Sequence, residues 1–275
     1  MMLRYYILFS LTICFINIGL MQAQTNSDSI VTSPSEINEN SIDLVVNEAE
    51  AAYIDKNFAK SIQLYEAQVA KNKSINQESP QIYYNLGNAY FRDNQIAKAI
   101  VNYERALLLD PGDSDIRHNL RFAKTRIEDK IDSADSFFIN KWIRSVQNLY
   151  SGNTWAIVGI VFFILLILAV GLYMTSARLL FRKLSFYSSL VLLSLVIITN
   201  VFAFKQKNKI VNRSTAIVMS ASVSIYTSPD AHSQELFRLH EGAKVKIKRE
   251  EGRWIEIIIA NGSVGWLQKK NVETI

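Results

Sequence analysis

Two long runs without a charged residue, 155–174 and 184–204, constrain this chain more than any other feature. They hold 20 and 21 residues, and a helix of ~20 apolar residues is what a ~30 Å hydrocarbon layer requires. Only residues 175–183 connect them, so the two predict an antiparallel pair of membrane-spanning helices. The alternative is two buried helices of a soluble core. Length, lack of charge and basic flanks weigh against it. Ser188, Ser189, Ser194, Thr199 and Asn200 in the second run are expected to pack and hydrogen-bond between the helices. Neither run holds the ionisable group that a polar transport path would use.

Charge divides along the same lines. Residues 24–135 carry 12 basic and 18 acidic side chains, 136–213 carry 9 basic and no acidic ones, and 214–275 carry 8 and 7. The basic excess therefore flanks the apolar runs, which suits lipid headgroups as partner. Nucleic acid is not expected, because that would need a basic folded face with aromatic residues between the charges. The one cysteine, Cys14, lies in an N-terminal apolar stretch, and His118, His232 and His240 are scattered. Neither a metal site nor any cofactor is expected.

Residues 1–23 read as a secretory signal, with Arg4 as the positive region, an apolar stretch to Met21, and Ala23 before the cut. Met21 stands where a small residue is usual, so retention as an anchor is the alternative. Residues 24–42 are rich in Ser, Asn, Glu and Thr and read as a disordered linker. Delivery of residues 43–132 across the membrane would put 175–183, with Arg178, Arg182 and Lys183, in the cytoplasm. Lys205, Lys207, Lys209 and Arg213 would then lie outside, against the positive-inside tendency. Before the first run, Phe137, Phe138, Trp142, Val146 and Leu149 recur at near-helical spacing across 137–150. This fits a helix lying at the membrane surface, or an extension of the preceding domain.

From Pro80 the chain alternates helical patterns with short breaks. Tyr83, Leu86, Gly87 and Tyr90 mark one helix, Ala99, Tyr103 and Ala106 a second, and Pro111 closes the unit. The small residues allow close helix approach, the large ones fill the space around it, and proline cannot donate the next backbone bond. The set resembles the ~34-residue tetratricopeptide repeat (TPR) closely. A degenerate copy starts near Ile42, with Ala49, Ala52, Phe58, Ser61 and Tyr65 at matching positions, and a longer connection over 71–79 follows it. A third helix, capped by Ser114 and running to about Ile131, would cover the second repeat with Leu120, Ala123 and Ile127. The resemblance implies a groove lined by the first helix of each hairpin. Here that selects Gln81, Tyr84, Asn88, Phe91 and Arg92, with Phe91 either facing the groove or packing on the third helix. Val46 and Glu50 stand where carboxyl-terminus-capturing repeats carry Lys and Asn, so that mode is not expected.

Residues 215–275 read as short strands. Val223, Ile225 and Tyr226 lead into Ser228-Pro229-Asp230; Val245 and Ile247 alternate with Lys244, Lys246 and Lys248; Asn261-Gly262 marks a hairpin. The V-x-I-Y-T-S-P opening, the E-G turn, W-x-x-I and N-G-x-x-G-W-L resemble bacterial SH3-like domains, whose ligands are peptides or cell-wall material. Tyr226, Trp254 and Trp266 are the candidate ligand surface, with both tryptophans also suited to the core. The lysine stripe reads as a solvated face.

The expected fold class is thus a multidomain membrane protein: all-α TPR repeats, a two-helix transmembrane hairpin and an all-β SH3-like barrel. That order, with S-F-F-I-N-K-W before the first run, resembles the BatE family of the aerotolerance (Bat) operon. The resemblance implies a cell-envelope complex, with von Willebrand A-domain membrane proteins and a MoxR-type ATPase encoded nearby. Two binding modules without a catalytic constellation lead to the expectation of an adaptor and not an enzyme. A wall-active enzyme subunit and a membrane sensor relaying to a partner are the rival readings. No segment is left to house a catalytic domain, and the short connecting loop offers no output domain.

Overall fold

The computed structural model describes residues 39–131 and 138–275, with the side chains of 39–46 excepted. The expected signal at 1–23, most of the 24–42 linker, and Phe137 lie outside these residues. Five helices form the first part: α1 (Glu39–Ile54), α2 (Phe58–Ser74), α3 (Pro80–Arg92), α4 (Ile96–Leu109) and α5 (Ser114–Lys124). Pro80 begins α3, where its missing N–H is no loss. Tyr83, Leu86, Gly87, Tyr90, Ala99, Tyr103, Ala106 and Pro111 are all buried. Ala49, Ala52, Ser61 and Tyr65 are buried as well, and Phe58 half so. Ser61 sits at a small-residue position for a second reason: its hydroxyl donates to Ala49 O at 2.9 Å, tying α2 to α1.

Three expectations for this part are corrected. The connection between the hairpins is shorter than 71–79, because α2 continues to Ser74. Asp113, not Ser114, caps α5, its carboxylate accepting from the N–H groups of Asp115 and Ile116. The helix stops at Lys124 instead of running to Ile131. Beyond it, Ile127 packs against Gly242, Asp129 accepts a hydrogen bond from His240 N at 2.6 Å, and Ile131 joins a second core. Tertiary contacts thus outweigh the local helical pattern.

α6 (Phe138–Gln147), α7 (Gly152–Thr175) and α8 (Leu179–Val211) follow. α7 and α8 are long and apolar enough to cross a membrane, and they pack side by side. Gly159 of α7 lets Thr199 of α8 approach, and Trp155 meets Phe202 edge-on at 5.1 Å. The polar residues of α8 do not bridge the pair as expected. Ser188, Ser189, Ser194, Thr199 and Asn200 donate to carbonyls one turn back in their own helix. Each finds a nearby acceptor there, which removes the need for a partner across the interface. α8 extends seven residues past the apolar run, to Val211, and carries Lys205, Lys207 and Lys209 as helical residues.

The last part is an antiparallel sheet of seven strands: β1 (Thr215–Val218), β2 (Ser222–Tyr226), β3 (Glu235–His240), β4 (Lys244–Glu251), β5 (Trp254–Ile258), β6 (Val264–Gln268) and β7 (Val272–Thr274). Their order is β3-β2-β6-β5-β4-β1-β7. Val218, Val223, Ile225, Val245, Ile255, Ile257 and Leu267 build its core. Strand alternation sends Ile217 the other way. With Ile275 it enters the core of the helical repeats, beside Ile100 and Leu120.

The sheet module is therefore docked on the repeat array. Glu104 of α4 is the centre of the contact, its carboxylate accepting from Lys244 at 2.6 Å and from Lys124 of α5 at 2.7 Å. Arg105 donates to Thr274 O at 2.7 Å and pairs with Glu273 at 2.9 Å. Arg213 pairs with Glu78. Gly242, at φ +85°, presses its backbone on Ile127, where a side chain would collide. Lys244 belongs to this junction and not to a solvated stripe. Lys248 pairs with Glu256 at 3.4 Å, and Lys246 is exposed.

Candidate functional site

The first helices of the hairpins, α1, α3 and α5, line one face of the repeats. On α3, Gln81 is exposed and its amide donates to Asn85 Oδ1 at 3.1 Å. Tyr84 is half-buried and lies against Tyr103, ring centroids 6.1 Å apart. Asn88 Oδ1 accepts from Tyr103 Oη at 2.8 Å and from Asn119 Nδ2 at 2.9 Å. The Asn119 amide also donates to Tyr84 Oη at 3.0 Å. The floor is thus a closed network of two tyrosines and two asparagines, held by three helices. Burial pushes the Tyr103 hydroxyl well above its ordinary pKa, so it stays a neutral donor.

Phe91 and Arg92 stand at the rim. Phe91 packs on Phe122 of α5 at 5.5 Å and is half-exposed, so it touches the third helix and still reaches the surface. Arg92 is exposed and spreads over the Phe58 ring at 5.7 Å, and Phe58 meets Tyr53 edge-on at 5.5 Å. Arg126 covers the other side of the strip, 5.7 Å from the Phe122 ring centroid. Five of the expected groove residues therefore share one surface, but Asn88 is a floor residue with its acceptor occupied. Sequence reasoning missed Asn119 and Phe122. A 34-residue shift, the length of the repeat, maps Asn85 onto Asn119 and Asn88 onto Phe122, and that shift was the available signal.

Groups behind the floor are structural. Tyr83 Oη donates to Glu78 at 2.9 Å; burial first, then the Glu78 charge, pushes its pKa up to about 12. Tyr90 donates to Glu66. Both hydroxyls serve as fixed donors that tie α3 to the first hairpin and its connection.

In the sheet module, Tyr226 and Trp254 meet edge-on at 5.8 Å and Tyr226 pairs with Trp266 in register. Of the three candidate residues, both tryptophans take the core position that their residue type also allowed. Trp254 is 6% and Trp266 4% exposed, and Arg249, held by Glu256 at 2.9 Å, lies 4.8 Å over the Trp266 ring. Both indoles are packing residues, which leaves Tyr226 half-exposed as the accessible member. Among the described residues no group of three His, Cys, Asp or Glu side chains could hold a metal ion.

Paired helices with an aromatic and arginine surface over an amide floor define a helical-repeat scaffold for protein–protein contacts. Residues 80–113 match the tetratricopeptide repeat family, and that match spans α3, α4 and the turn after them. No curated protein gives a match to the chain.

Proposed function

We propose that this chain is a membrane-anchored adaptor that holds a peptide segment of a partner protein in the α1–α3–α5 groove. The carrying observation is the rim, where Phe58, Phe91 and Phe122 with Arg92 and Arg126 stay accessible over a floor joined by the Tyr103–Asn88–Asn119–Tyr84 hydrogen bonds. Aromatic and arginine side chains of this kind dominate binding energy at interfaces. Exchange of two exposed rim residues, Arg92→Glu with Phe122→Ala, is expected to lower partner recovery at least tenfold after crosslinking in native membranes and mass spectrometry. Undiminished recovery sinks the groove reading.

α7 and α8 supply the anchor. Leu168 and Leu190, like most of their apolar side chains, are exposed on the outside of the pair. α6 supports the same reading. Phe138 is 78% and Trp142 67% exposed, while its far end is clamped to α8 by Gln206, whose amide donates to Gln147 O at 3.0 Å. Trp155 Nε1 donates to the same carbonyl at 2.9 Å. An apolar face fixed beside the end of a span, with Lys141 and Arg144 on the helix, suits a membrane surface. Direct contact between the repeats and the sheet requires both on one side of the bilayer, and the secretory reading of 1–23 makes that side the periplasm. Protease added to sealed spheroplasts should cleave both modules. Protection of both until lysis overturns the orientation.

The sheet is read as an SH3-like barrel that takes a second partner, a protein or a cell-wall peptide, around Tyr226. The order of segments supports a role like that of the BatE family, in an envelope complex with von Willebrand A-domain proteins and linked to aerotolerance or stress.

A further inference from the structure

A cleft of about 310 Å³ opens on the opposite side of the repeats, between the second helices of the two hairpins. Glu66, Val69, Ala70 and Lys73, at helical spacing on α2, form one wall. Lys98, Asn102 and Arg105, likewise spaced on α4, form the other, and Glu273 of the docked sheet closes one end. Leu86 and Tyr90 of α3 make the floor.

Two buried polar atoms here have no partner among the described residues. Asn102 is 4% exposed; its Nδ2 donates to Lys98 O at 2.9 Å, which fixes the amide orientation, and its Oδ1 is left unpaired. The Arg105 side chain is 12% exposed, and while Nη2 holds Glu273 and Thr274, its Nε–H has no acceptor. Buried groups of this kind are nearly always satisfied, so an acceptor and a donor three residues apart on one helix face call for a ligand.

The charges point to its nature. Glu273 is paired with Arg105, while Glu66 at the far wall accepts from the Tyr90 hydroxyl. Lys98 lies 5.1 Å over the Tyr90 ring, and neither Lys98 nor Lys73 has a carboxylate at ion-pair distance among the described residues. Burial, then repulsion from Arg105, disfavours the Lys73 ammonium, and Glu78 and Glu273 offset this only in part.

We infer that this cleft binds an acidic peptide segment of a partner protein. A peptide unit offers the N–H that Asn102 Oδ1 lacks and the C=O that Arg105 Nε lacks. An Asp or Glu side chain on it reaches the two lysines, and its aliphatic stem rests on Val69 and Leu86. A simple anion would satisfy the lysines but not Asn102. The site is separate from the groove and stands whether or not the groove is occupied.

The test uses the full chain in nanodiscs and fluorescence anisotropy of a labelled, end-blocked Ala-Glu-Ala-Glu-Ala peptide, with Ala-Gln-Ala-Gln-Ala as comparison. The Glu peptide is expected to bind at least tenfold tighter. Lys73→Ala with Lys98→Ala, both exposed positions, should remove that advantage, a change of about 1.4 kcal/mol. The Arg92→Glu, Phe122→Ala groove variant should bind it unchanged. Equal binding of both peptides, no binding, or full binding by the lysine variant overturns the inference. So does loss of binding in the groove variant, or competition by inorganic phosphate as effective as that by unlabelled peptide.

Discussion

Replacing Lys124 and Lys244 together by Met is expected to release the sheet from the repeats at neutral pH, at a cost of about 3 kcal/mol. The reason is Glu104, whose side chain is 6% exposed and whose two oxygens accept from those two lysines. Without them a carboxylate stays buried and unpaired. The low end of the range for a broken buried pair applies because the lysines themselves are 38% and 41% exposed, so water already screens part of the attraction. The pH dependence follows with a definite sign. Burial pushes the Glu104 carboxyl up, but Lys244 and Lys124 outweigh it and hold it below the ordinary carboxylate value. In the native chain this contribution is complete above that ordinary value and is lost as pH falls through the lowered one. In the double variant only burial remains, so the carboxyl rises, and the penalty is greatest at neutral pH and fades on acidification as Glu104 takes up a proton. Hydrogen exchange at 104–109 and 240–244 should therefore speed up in the variant at pH 7, by a margin that narrows as pH falls below the ordinary carboxylate value. Adding Glu104→Gln should recover most of the loss at pH 7. Equal acceleration at pH 7 and below the ordinary carboxylate value, with no recovery by the glutamine, would discard the account.

This junction was not legible in the sequence, and the reason is physical. The pattern around Pro80 is local: each buried residue of the hairpin meets another within about one repeat, so spacing alone reveals it. The alternation of Val245 and Ile247 with lysines is local in the same way. Glu104 and Lys244 are 140 residues apart, and each sits at a position where a solvated charge is equally natural. Ile127 illustrates the conflict. Its spacing from Leu120 and Ala123 continues a helix, yet Gly242 and the His240–Asp129 bond draw its segment out onto the sheet. The candidate site divides the same way. The resemblance to the repeat family selected Phe91 and Arg92, whereas the occupied acceptor of Asn88 depends on Asn119 from the next helix. Trp254 and Trp266 suited both surface and core by residue type, and only the strand register and Arg249 decide for the core. The cleft behind the repeats needed two helices in register and a strand from the sheet, which no single stretch encodes.

Gly87→Val is expected to be the most damaging single change in the repeats, lowering stability by about 3 kcal/mol and disabling the groove with it. Gly87 lies inside α3, where glycine is a poor helix former by ~1 kcal/mol relative to alanine. Its retention has a steric cause: a Cβ would stand 2.7 Å from both Cδ1 and Cε1 of Tyr103. That ring cannot retreat easily. It is buried, lies against Tyr84, and its hydroxyl is held by Asn88. Alanine at position 87 recovers helix propensity while forcing the ring aside by part of an ångström, so its net loss should be smaller, about 1 kcal/mol. Valine adds two more carbons and a restricted rotamer, and the ring must leave its place. Because Tyr103, Asn88, Asn119 and Tyr84 form one network, displacement of the first unsettles the floor beneath the rim. Denaturant titration of the full chain in detergent should show Gly87→Val destabilised about three times as much as Gly87→Ala. Tyr103→Leu in the valine background should return at least 1 kcal/mol, the coupling expected of residues in direct contact. Additive losses would mean that the valine acts elsewhere than on the tyrosine. Binding would follow stability in the valine variant and return with Tyr103→Leu only in part, since leucine makes room for the valine but offers Asn88 no hydroxyl.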